Sequence, residues 1–169
     1  MRKVVVFSLL ILVGYACKTQ KESVKNFQPV SVAQFLEKPF GVEETVASFK
    51  KHFGNGIKVK RMIRRNKFDA QKVDTIVQFY HRKSEVFIYK TYFNREMLLG
   101  GVIYDSKFPL VNGVKPGVER NGFFKSFNDL PVNSKDSVEI SNKESTRKFI
   151  FIFDSKGELK KISFSSYVD

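Results

Sequence analysis

The chain has one cysteine, two histidines, five prolines and no tryptophan in 169 residues. One thiol excludes a disulfide framework. His52 and His81 have no second histidine or cysteine at metal-ligand spacing, so no metal site is expected, and each reads as a surface histidine. No G-x-S-x-G elbow, phosphate-binding glycine loop or H-E-x-x-H pair occurs. Acidic residues are also scarce, 17 against 30 lysines and arginines, for a formal charge of +13. That imbalance points to anionic partners.

Long apolar runs are equally rare. The one clear case, Val4 to Ala16, spans about 20 Å as a helix at roughly 1.5 Å per residue. A bilayer core needs about 30 Å, so a permanent span is disfavoured. With Arg2 and Lys3 before it and small residues after it, the run reads as an export signal. Gly14 and Ala16 suit an ordinary signal peptidase. The stretch "GYAC" also resembles the bacterial lipobox, with Gly14 and Tyr15 where leucine and a small residue are usual. That resemblance implies that Cys17 is acylated (palmitate among the expected chains) and becomes the mature N-terminus. Acylation also explains an exported protein with one unpaired thiol. At about 0.8 kcal/mol per buried methylene, two or three chains anchor it to a membrane.

The expected organisation is a lipoprotein signal over 1–16, an anchor and flexible tether over 17–30, a first α+β unit over 31–110 and a second over 111–169. Loss of Arg2 and Lys3 with the signal lowers the charge from +13 by two, to +11. About 150 residues remain, enough for a real core. Eighteen phenylalanines make Phe the main filler.

Val42, Val46, Phe49 and Phe53 form a helical stripe. Glu43 and Glu44 fall in its expected first turn, Lys50, Lys51 and His52 in its last, and Gly54 stops it. A shorter helix is expected after Ser31, ending at Pro39, and another over "GVERNGFFKSFNDL" with Val118, Phe123, Phe127 and Leu130 on one side. Strands are expected at 73–81 and 137–141. Hairpins are expected over "SEVFIYKTYF" and "EMLLGGVIY" around "NR", and over "RKFIFIF" and "ELKKISFSS" around "DSKG". The fold class is therefore α+β, short helices on antiparallel sheet, with two α-β-β-β units in tandem.

Gly41, Val42, Phe49 and Phe53 give the pattern G-V-x-x-x-x-x-x-F-x-x-x-F. With the element order that follows, it resembles the SmpA/OmlA family of small outer-membrane lipoproteins, which support barrel assembly. It also resembles the tandem unit of secreted β-lactamase-inhibitor proteins. No functional residue is carried over from either.

Carboxylates give no acid–base pair. Glu43 and Glu44 point in different directions, Asp69 and Asp74 flank a loop, and Asp154 and Glu158 lie at a turn. The outstanding feature is "GIKVKRMIRRNKF". Lys58, Lys60, Arg61, Arg64, Arg65 and Lys67 are interleaved with Ile57, Val59, Met62, Ile63 and Phe68. It reads equally as an anion-binding segment or as a half-buried strand with basic outward residues.

The expected function is a non-catalytic envelope lipoprotein in the cell membrane or outer membrane. It would bind an envelope protein or anionic lipid, with no cofactor, and export argues against nucleic acid. The alternatives are an inhibitor or immunity protein against a secreted enzyme or toxin, and a small envelope hydrolase.

Overall fold

The computed structural model describes residues 28–143 and 146–166. The signal, Cys17 and most of the expected tether lie outside the described residues. The elements run α1 (Val32–Glu37), α2 (Val46–Phe53), β1 (Lys58–Arg65), β2 (Val73–His81), β3 (Ser84–Lys90), β4 (Glu96–Ile103), α3 (Arg120–Lys125), β5 (Ser137–Ser141), β6 (Arg147–Phe153) and β7 (Leu159–Ser166). All strands pair antiparallel in one sheet of order β1-β2-β3-β4-β7-β6-β5. The class is α+β, mostly sheet.

Local chemistry sets the helix ends. Ser31 and Gln34 form a reciprocal capping box at α1. α2 starts later than its apolar stripe suggests. Thr45 accepts from the Ser48 N–H through its side chain and so becomes the N-cap. Glu43 and Glu44 therefore precede the helix, and no acid occupies its first turn. α3 is also shorter than expected, because its chain turns at Ser126 and leaves Phe127 and Leu130 beyond it. Before α1, Val30 already joins the fold, bridging to Phe127.

Strand alternation places one face of the sheet under the helices. Val77, Phe79, Val86, Ile88, Leu98, Phe149, Phe151, Ile162 and Phe164 are buried there. The core is a single cluster spanning both halves of the chain. Phe35 of α1 meets Phe149 edge-on at 4.8 Å, Phe49 of α2 lies 5.8 Å from Phe79, and Phe123 of α3 lies 4.7 Å from Phe151. Such pairs each add about 1 kcal/mol beyond area burial. On the opposite face Ile76, Phe87, Tyr89, Met97, Val102, Ile150 and Ile152 are only partly buried.

The seam between the halves is the β4–β7 pairing, Gly100 to Ile103 against Ser165 to Ile162. Glycine is needed here because a Cβ on Gly101 would sit 2.3 Å from the Glu85 carbonyl oxygen and 2.7 Å from the Phe164 ring. The β3–β4 turn runs over Thr91–Arg95, with Asn94 at φ 66°. The strands therefore end sooner than "SEVFIYKTYF" suggests. The β6–β7 turn is the expected "DSKG", with Gly157 at φ 76°. No helix among the described residues is long and apolar enough to cross a membrane.

Candidate functional site

The basic segment becomes β1, an edge strand bonded only to β2 among the described residues. Its register, Lys58 opposite Tyr80 through Arg65 opposite Val73, decides where each cation points. Lys58, Lys60 and Arg64 share the open sheet face with Met62. Arg61 and Arg65 share the helix-side face with Val59 and Ile63. Lys67 follows in the turn to β2. All six cations are exposed, and only Met62 of the strand is partly buried.

The helix layer does not extend over this edge, so Ile63 is 79% exposed. The strand reading of the segment holds in part. It is a strand, and it is basic on both faces rather than half buried. Among the described residues no carboxylate forms an ion pair with Lys58, Lys60, Arg61, Arg65 or Lys67. Such a like-charged edge disfavours pairing with a second copy of itself.

The one acid beneath it is Asp74, fully buried on β2 opposite Arg64. Its carboxylate accepts from the Tyr89 hydroxyl at 2.5 Å, Asn66 Nδ2 at 2.8 Å and the Tyr92 N–H at 2.9 Å. Burial pushes this carboxyl up, but those three donors and nearby Arg64 outweigh it and hold the group below the usual aspartate value. The same bond pushes the Tyr89 phenol up. Asp74 thereby ties the β1–β2 turn to the β3–β4 turn. Asp69 has the expected turn role, accepting from the Gln71 N–H and pairing with Lys72 at 3.2 Å.

Two other polar groups come together. His81 is half-buried rather than a free surface histidine, with Nδ1 3.0 Å from Asp105 Oδ2. Ser84 donates to the same oxygen at 2.9 Å and accepts from the Tyr104 N–H. Ser84 is fully buried and bonded to the acid, not to the imidazole, so these residues pin the β2–β3 turn instead of activating a hydroxyl. Burial pushes Asp105 up, but its bonds to His81, the Lys107 N–H and Ser84 leave it lower than usual. His52 sits elsewhere, at the end of α2 against Phe53, where burial lowers its pKa.

Glu44 meets Arg147 of β6 at 2.7 Å and accepts from the Leu98 N–H. The guanidinium also donates to the Leu36 carbonyl at 2.7 Å. This pair braces α1 and β4 against β6. Glu43 instead pairs with Lys38. No group of three or more potential metal ligands occurs among the described residues.

Sequence patterns could not single out Asp74, Asp105, Glu44 or Arg147, because their partners are set by register across distant strands. The chain matches no family model, no curated protein and no solved structure. The resemblance to outer-membrane lipoproteins and inhibitor units therefore rests on the pattern of Gly41, Val42, Phe49 and Phe53 and on element order.

Proposed function

We propose that this chain is a non-catalytic binding module, held on a bacterial cell membrane or outer membrane by lipid on Cys17. It contacts anionic lipid, or an acidic envelope protein, through the basic edge of β1. The observation that carries this reading is an exposed strand with cations on both faces and no carboxylate pairing Lys58, Lys60, Arg61, Arg65 or Lys67 among the described residues. Near an anionic surface each such residue contributes about 1 kcal/mol.

The test is partition of the acyl-free chain from Lys18 onward onto vesicles containing phosphatidylglycerol. Replacing Arg61, Arg64 and Arg65 together with serine should weaken binding by about two orders of magnitude at ~0.1 M salt. Wild-type binding should itself fall steeply toward ~0.5 M salt. Since all three side chains are exposed, the melting temperature should fall only slightly, by what Arg64 contributes at Asp74. Equal partition of variant and wild type at low salt would remove β1 from the account.

The partly buried apolar residues of the open sheet face favour a second reading, an inhibitor or immunity protein that grips an enzyme or toxin there. We also read the chain as two α-β-β-β units in tandem. In support, α2 precedes the β2-β3-β4 meander, α3 precedes β5-β6-β7, and the last strands of the two meanders meet antiparallel. Strand β1 is then an addition to the first unit, so the two halves are not equivalent in binding.

A further inference from the structure

We propose that the β1–β2 and β3–β4 turns form a two-tipped wedge that enters the interface of an anionic bilayer through Phe68 and Phe93. The proposal rests on the anionic-surface reading above and extends it from charge to insertion. Phe68 is 80% exposed and Phe93 is 74% exposed. Among the described residues they are the two exposed phenylalanines; of the others all but the partly buried Phe87 fill the core.

The two rings belong to one end of the sheet, and Asp74 links their loops. Asn66 donates to Asp74 from the first loop, and its Oδ1 accepts the Phe68 N–H at 2.9 Å. The Tyr92 N–H donates to Asp74 from the second, and the Tyr92 and Phe93 ring centres are 3.7 Å apart. Lys72 crosses between the loops, its Nζ 3.0 Å from the Tyr92 hydroxyl and 5.8 Å from the Phe93 ring centre. The two loops are thus tied together before any membrane arrives, so less ordering is left for binding.

The charges around the tips are Arg64, Arg65, Lys67, Lys72 and Arg95. Nearby acids are already engaged. Asp74 is buried, Asp69 pairs with Lys72, and Glu96 bonds Lys90 at 3.1 Å and the Val46 N–H at 2.7 Å. Wet aromatic rings ringed by cations suit the bilayer boundary, where rings enter the acyl edge and cations stay with phosphates.

The chain has no tryptophan, so Phe68→Trp and Phe93→Trp each give a single reporter in the full-length protein. The control is Val132→Trp, at a 75% exposed position before edge strand β5. On phosphatidylglycerol vesicles with brominated acyl chains, emission at positions 68 and 93 should shift to the blue and be quenched. Position 132 should not change. Phosphatidylcholine vesicles, which hold the lipid anchor equally well, should give neither effect, and nor should inorganic phosphate.

Probes at 68 and 93 that stay as wet as the one at 132 on anionic vesicles would overturn the wedge. So would a shift in native envelope fractions that is lost on vesicles made from their extracted lipids, because the occupant would then be a protein. If the three arginines still govern vesicle partition while both probes stay wet, the basic-edge reading survives and insertion alone falls.

Discussion

Asp74 shows how far a single side chain can depart from its pattern. In "VDTIVQFYH" the apolar positions Val73, Val77 and Phe79 suggest one buried face, and Val77 and Phe79 obey. At the strand's start the order inverts, with Val73 47% exposed and Asp74 fully buried. The helices stop short of this corner, while Tyr89 and the Thr91–Arg95 turn fold over the other side. No local signal carries that information. Because the carboxyl is held below its ordinary value of 3.8, its stabilisation is present above that pH and is lost as pH falls through the folded value. Asp74→Asn should cost about 2 kcal/mol at pH 7, since three donors lose a charged acceptor. In urea unfolding the gap to wild type should shrink as pH falls below 3.8 and on through the folded value. A gap unchanged with pH would mean that the charge contributes nothing.

Elements were legible where a local bond fixes their ends. The capping box of Ser31 and Gln34 and the "DSKG" turn are both set by neighbours in sequence. The start of α2 was not, because Thr45 captures the Ser48 N–H while Glu44 is drawn away to Arg147 on a distant strand. The basic segment was legible in composition but not in setting, since only the register shows that its cations occupy both faces of an edge. The seam is also a matter of register. Gly101→Ala should cost about 3 kcal/mol, because its Cβ meets backbone and a core ring. Gly54→Ala should cost about 2 kcal/mol, since φ 66° with ψ −156° is essentially a glycine-only conformation while the space around it is open. Chemical denaturation of the two variants checks the order, and equal costs would show that β4 can shift to make room.

On the scale of the whole molecule, one core and one sheet join both halves, while the charge is distributed unevenly. Basic residues crowd the β1 edge and the adjoining tips, whereas β5 at the opposite edge carries Glu139, paired with Lys148. The phenylalanine content announced the core, yet among the described residues Phe68 and Phe93 are exposed. The proposed use of that surface is contact with anionic material, and the proposed envelope location rests on the chemistry proposed for Cys17. Intact-mass analysis of the protein purified from its native membrane tests this most directly. The account predicts a chain beginning at residue 17 and heavier than its sequence by a diacylglycerol group and a further acyl chain. A free thiol at residue 17, or a chain still beginning at Met1, would contradict it.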